Sequence, residues 1–429
     1  MKRRFTLYVC FLVGLSWGCE PEIDPVSLHS GALSIDRYVS IGDAYSVGAT
    51  NGGIYRAGQE YSYPNLLAGQ LREVQPLPFN QAYLGMNGTG YLTLARVRES
   101  ACSDQLLVPT LVRESEDQSL FENISTSAPF HNLAIPELDM GTVLEENLGA
   151  TNPFFNRMIP EGGNFSYADL IEQVQAKLYT VWVGLEMAWS FARNGHPKDS
   201  IGSDVVETFG SNLDTLISKI YRTQPQTTVL IGDIPDVTTF PFFTTVSHVY
   251  TDTLTCNMQP IYIQVETTPG TMRVREAEDA DRILLSANAM IGIPVEGGGF
   301  LGLSEDFPLP DSLVLDQTEV QRVRSFIGGA NQRIQERVSF YRESKPFPYQ
   351  VKRVNISQKL NNALQGQTLA GLDVSATYLT GGLFSIDGYT FSPRGNTLIA
   401  NFIIEEINES FEAQVPPLNI ADFEGVVFP

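Results

Sequence analysis

Histidine is scarce in this chain. Four residues are histidine (His29, His131, His196 and His248), and none follows position 248. They are too scattered for a zinc motif, so no metal site is expected. Cysteine is equally scarce, with four residues and no Cys-x-x-Cys spacing, which removes zinc ribbons and dithiol redox motifs. Basic residues are outnumbered, 28 Lys and Arg against 49 Asp and Glu, for a formal charge of −21. No basic run offsets that charge, which excludes nucleic acid and anionic membrane surfaces as electrostatic partners. There is no internal repeat and no low-complexity tract. Asn87-Gly-Thr-Gly90 has the glycines of a phosphate loop but no Lys-Ser/Thr after it, so it reads as a turn. No cofactor is expected.

What is present starts with a secretory signal. Met1-Lys-Arg-Arg4 is a positive start, Phe5–Leu15 is a short apolar core, and Ser16-Trp17-Gly18 precedes Cys19. The core is too short for a transmembrane helix. A cysteine directly after a small residue resembles a bacterial lipoprotein signal, with residues 1–18 removed and Cys19 lipidated. Trp17 is bulkier than that pattern usually has, and the alternative is a plain signal with an incidental cysteine. Residues 19–36 read as a tether. Their acids Glu20, Glu22 and Asp24 resemble the acidic surface-export signals of some Gram-negative lipoproteins. Lipid on Cys19 would anchor a soluble domain to the outer membrane, on its periplasmic or cell-surface side. With Cys10 lost in the signal, Cys102 and Cys256 remain, and an exported protein can pair them.

The body of the chain, 37–429, has the apolar content for one large core, 43% over the sequence. Tyr38, Val39 and Ile41 form a short buried strand that Gly42-Asp43 ends with turn chemistry. The next residue stands where open α/β sheets bind ligands, and it is Ala44, without a nucleophilic atom. Short strands are expected at Leu133–Ile135, Tyr179–Gly184 and Thr227–Gly232. Helical spacing is found at Tyr63–Leu71, Tyr167–Leu178, Val205–Tyr221, Asp316–Arg342 and after Pro393. Residues 245–312 read as an irregular insertion over the carboxyl edge of the sheet, with a short helix-like run near Ile283–Ile291. Strands alternating with amphipathic helices imply a parallel sheet covered on both faces.

Together these segments resemble the SGNH, or GDSL, hydrolases. Ile41-Gly-Asp-Ala-Tyr-Ser46 is similar to the first block of that family. Asn132-Leu-Ala-Ile-Pro-Glu137 is similar to the second, Val181-Trp-Val-Gly-Leu-Glu-Met187 to the third, and Asp387-Gly-Tyr-Thr-Phe-Ser-Pro-Arg-Gly395 to the fifth. The blocks occur in the family's order. The resemblance implies a three-layer, flavodoxin-like α/β fold with a central parallel sheet. It also implies acyl transfer by a serine, a histidine and an aspartate, with an oxyanion held by backbone N–H groups, a glycine and an asparagine.

Residue by residue, that machinery is missing. The serine position holds Ala44, the oxyanion glycine position Glu137, the asparagine position Glu186 and the histidine position Thr390. Asp387 is retained without an imidazole to orient. Ser46 is an alternative nucleophile lacking a visible base, or a helix N-cap. Asp43 reads as structural, bonding backbone in its own turn. Glu137, Glu186 and Asp387 are expected either to be what a decayed site accumulates or to converge on an acidic cleft for a cation, an amine or sugar hydroxyls. A glycosidase carboxylate pair finds no other support. The reading is therefore a lipid-anchored, non-catalytic binding or accessory protein of the envelope, and an envelope or outer-membrane protein is the kind of partner expected. The competing reading is an ester hydrolase with an unrecognised catalytic arrangement.

Overall fold

In the computed structural model the described residues are 27–429, apart from 101, 128, 195–200, 253–254, 269 and 344–349. The signal, Cys19, the first part of the tether and His196 lie outside them.

Four parallel strands build the central sheet: β1 (Tyr38–Gly42), β2 (Leu178–Trp182), β3 (Thr228–Gly232) and β4 (Gln350–Val354), in spatial order β1-β2-β3-β4. Tyr38 pairs with Leu178 and Gln350 with Thr228. The first three strands are buried at every position, which is why they read as unbroken apolar and β-branched runs. On the free side of β1, Ser40 N–H donates to His131 O at 2.8 Å, Leu133 N–H to Ser40 O at 2.8 Å and Ile135 N–H to Gly42 O at 3.1 Å. The Leu133–Ile135 segment therefore runs alongside β1 as a parallel edge and delivers Glu137 to the same end of the sheet as Ala44.

The helices that frame the sheet and its site include α1 (Ala44–Val47), α2 (Tyr63–Val74), α3 (Leu185–Ala192), α4 (Ser203–Thr223), α5 (Gln317–Glu343), α6 (Ile356–Leu364) and α7 (Pro393–Phe411). Helices α3, α4 and α5 pack together, and α2, α6 and α7 form a second group, giving three layers. Helix α5 opens with a capping box. Asp316 accepts from Glu319 N–H, and Glu319 accepts from Asp316 N–H, each at 2.9 Å. The helical spacing from Tyr167 ends early: the helix stops at Glu172, and Leu178 begins β2.

The structure corrects the reading of residues 245–312. The segment is built of short antiparallel pairs, including Val249–Thr251 with Met258–Pro260, Tyr262–Thr268 with Thr271–Glu276, and Arg282–Ile283 with Val314–Leu315. The helix-like run near Ile283–Ile291 is a two-residue strand followed by a turn of 3-10 helix at Leu285–Ala287. Its Ile283, Ala287 and Ile291 join a small separate core with Ile261, Ile263, Val265 and Leu309, while Leu284 belongs to the main core. A long hairpin, Leu92–Ser100 with Ser103–Arg113, stands apart from the central sheet. Cys102, at its tip, is disulfide-bonded to Cys256 in the insertion, with Cα atoms 5.2 Å apart. Of the tether, Leu33 and Ile35 are buried in the main core, and Ala32 N–H bonds Phe411 O at 2.9 Å.

Candidate functional site

The carboxyl ends of β1, its edge segment and β2 bring Ala44, Glu137 and Glu186 to one place. Helix α1 starts at Ala44, not at Ser46. Its N-cap is Asp43, whose Oδ1 accepts Tyr45 N–H at 3.2 Å. Asp43 does more than close its own turn, because its Oδ2 also accepts Glu186 N–H at 3.0 Å. Gly184 begins α3 with φ +94°, and a Cβ there would lie 2.7 Å from Ile234. That glycine lets Leu185 and Glu186 turn back over the strand end.

Glu186 then folds into the site. Its Oε2 accepts the backbone N–H of Ala44 at 2.9 Å and that of Glu137 at 2.8 Å. These donors belong to the positions that the resemblance assigns to the nucleophile and to the oxyanion glycine. A carboxyl oxygen of the chain itself sits on both. Glu137 adopts φ +57°, the left-handed conformation that a glycine takes freely and a side chain takes at a cost of about 1–2 kcal/mol. Its N–H is held in the site while its own side chain is exposed.

The electrostatics follow from burial. Loss of solvent, and next the neighbouring Asp43 carboxyl, push Glu186 up to about 8, while its two N–H bonds pull the other way. Burial pushes the fully buried Asp43 up to about 6. Two carboxyls this close titrate as a unit, and near neutral pH the pair retains a proton.

Asp387 is placed elsewhere. Its Oδ1 accepts Tyr389 N–H and Thr390 N–H at 2.8 Å each, and its Oδ2 accepts Gly52 N–H at 2.6 Å and the Thr390 hydroxyl. Thr390 is buried and bonded to Ser385 Oγ at 2.9 Å as well. The retained aspartate thus ties the loop before α7 to the loop at Gly52. Burial raises its carboxyl. Glu137, Glu186 and Asp387 do not converge as three carboxylates: one side chain is in the site, one is exposed and one is consumed by backbone donors. Among the described residues no group of three or more His, Cys, Asp or Glu is arranged to hold a metal.

Ser46 is fully buried, 0% exposed, with its Oγ 3.1 Å from Tyr63 OH. Gly42 is a glycine because that Oγ lies 2.0 Å from where its Cβ would be. Ser46 is packed under the strand end and presents nothing to solvent.

A cavity of about 310 Å³ lies over Ala44 and is lined by Glu137, Glu186, Trp189, Arg193, Tyr389 and Tyr45 among others. Trp189 and Tyr389 stack at 3.8 Å, with 7° between their planes. The sequence reading missed these four aromatic and cationic members. A signal existed, since Glu186, Trp189 and Arg193 lie at i, i+3 and i+7, one face of a helix.

No family model matches the chain, and no curated protein matches it. Among solved structures, an extracellular lipase from Streptomyces rimosus is similar, at 11% identity over 86% of this chain and 98% of that one, with a TM-score of 0.34. Among the described residues no helix is long and apolar enough to cross a membrane.

Proposed function

We propose that this chain is an exported, lipid-anchored protein of SGNH-hydrolase type that has lost acyl transfer and serves as a non-catalytic binding or accessory protein of the cell envelope. One observation carries the loss of chemistry: Glu186 Oε2 sits on the N–H groups of Ala44 and Glu137. A substrate oxyanion would need the same two donors and would meet a carboxyl oxygen there. Removing a single oxyanion donor costs ~10²–10³ in rate. Here both backbone donors are taken, the nucleophile position is a methyl group, and the Thr390 hydroxyl is committed to Asp387.

The lipid anchor rests on the Gly18-Cys19 pattern, and the binding role rests on the cavity. The competing reading, an active esterase with a different arrangement, gains nothing from Ser46, which is buried against Tyr63. The deciding experiment offers purified mature protein short-chain aryl esters and a serine-directed phosphonate. Turnover at the background rate with no covalent adduct is expected. A stoichiometric adduct, or turnover abolished by Ser46→Ala, would restore the esterase reading.

A further inference from the structure

The cavity over Ala44 has the composition of a site for one kind of ligand. A metal ion needs several converging oxygen ligands, and Glu186 is the one carboxyl whose burial and placement aim it at this space. Its Oε2 holds two backbone donors, and no donor among the described residues meets its other oxygen. Of the rest of the wall, Glu137 and Arg193 are exposed and Thr89, Asn152 and Thr390 are bonded within the chain, while Ala44, Ile54, Pro136 and Phe154 are apolar and join the stacked pair Trp189 and Tyr389. Aromatic rings offer an apolar chain a large area to bury against. Tyr45 lines the same cavity while only 3% exposed, and its hydroxyl has no hydrogen-bond partner among the described residues. Buried hydroxyls are ordinarily partnered, so this one is available to a polar hydrogen of a ligand.

We propose that this cavity binds a small organic ammonium ion bearing an apolar tail, with the Glu186 carboxylate as its counter-charge and the Trp189–Tyr389 wall against its tail. The proposal rests on the non-catalytic reading above and names the ligand of that same site. The groups facing Glu186 are Asp43 below it, Tyr45 on α1, Glu137 on the edge segment, Tyr389 with Asp387 behind it on the loop before α7, and Arg193 on its own helix. The acids outnumber Arg193, which is exposed at the rim. Binding exchanges one cation for another. The Glu186 O–H bond breaks, its proton leaves to solvent, and the ammonium pairs with the carboxylate left behind. Affinity therefore rises with pH until Glu186 is ionised without the ligand.

Calorimetric titration of the mature protein with n-hexylammonium chloride and with n-hexanol, at pH 6, 7.5 and 9 and in buffers of different ionisation heat, tests this. The ammonium is expected to bind at least about tenfold more tightly than the alcohol at pH 7.5, with further tightening toward pH 9 and release of up to one proton per ligand. Glu186→Gln should abolish proton release and bring the two ligands to similar affinity. Arg193→Gln, at an exposed position, should tighten the ammonium severalfold and supports the proposal independently of how Glu186→Gln folds. Equal binding of hexanol, or ammonium binding unmoved by both substitutions, overturns it. Aryl-ester turnover is read on the same sample. Failure to bind without turnover removes the ligand assignment alone, whereas turnover removes the reading beneath it.

Discussion

Asp43 and Glu186 clasp each other's backbone. The Asp43 carboxyl accepts Glu186 N–H at 3.0 Å, and the Glu186 carboxyl accepts the N–H of Ala44, the residue after Asp43, at 2.9 Å. The clasp locks the ends of β1 and β2 together through two acids and no base. Its consequences are open to measurement.

Stability should fall with rising pH because of Glu186. Its folded carboxyl is raised to about 8, so the folded state keeps a proton that the unfolded chain loses near the ordinary carboxyl range. The stabilisation is complete below about pH 4 and is lost as pH climbs through 8. Glu186→Gln keeps an oxygen acceptor and removes the titration. Thermal melts at pH 5 and pH 9 should differ less for the variant than for the wild type, with a gain at pH 9 of about 1–3 kcal/mol. Glu137→Gln should move the melts much less than Glu186→Gln, since that side chain is exposed and its charge is the smallest of the influences on Glu186.

Installing a serine at position 44 should not create ester-hydrolase chemistry. Ala44→Ser alone leaves Glu186 on both backbone donors and a threonine, not a histidine, at position 390. No phosphonate adduct is expected above the wild-type level. The triple change Ala44→Ser, Glu186→Asn, Thr390→His addresses nucleophile, oxyanion donors and base together, and mass spectrometry should detect adduct formation on that variant alone.

Asp387→Ala should be costly although it touches no reaction. Tyr389 N–H, Thr390 N–H, Gly52 N–H and the Thr390 hydroxyl all lose their acceptor. Loss of about 2–4 kcal/mol is expected by chemical denaturation, with Asp387→Asn intermediate, because an amide oxygen replaces part of the acceptor set.

The disulfide should matter through loop closure. Cys102 and Cys256 are 154 residues apart, so the bond constrains a long segment of the unfolded chain. Cys102→Ser with Cys256→Ser should lower stability by about 2–4 kcal/mol. Reductant should reproduce the shift in the wild type and do nothing to the double variant.

Anchoring is checked by detergent phase separation. The wild type is expected in the detergent phase with lipid on Cys19, and Cys19→Ala in the aqueous phase or unprocessed. An unmodified, soluble mature wild type would overturn the anchor.

The parallel α/β sheet was legible because β1, β2 and β3 are buried on both faces and leave apolar runs. β4 was not, since Gln350, Lys352 and Arg353 are partly exposed at the sheet's margin and interrupt the pattern. The insertion hid its strands for a related reason: they are two to seven residues long, and several face solvent, so no period builds up. At the site, the sequence pointed to Ala44, Glu137, Glu186, Asp387 and Thr390 but not to where their atoms go. A glutamate at an asparagine position reads as a charge pointed at an oxyanion. That its carboxyl would settle on the N–H groups of Ala44 and Glu137 depends on the left-handed backbone at Glu137, which no spacing reveals. The split of Asp387 away from the other two acids likewise depends on Gly52, more than three hundred residues distant in the chain.

The filled pair of N–H groups has a bearing on how this protein can vary. A working hydrolase must keep such donors in a conformation set by its transition state, and that demand commonly trades stability against activity. With Glu186 satisfying them from within, the tension between holding the fold and holding the reactive geometry is relaxed. Substitutions around the cavity are then filtered by packing and by whatever occupies it.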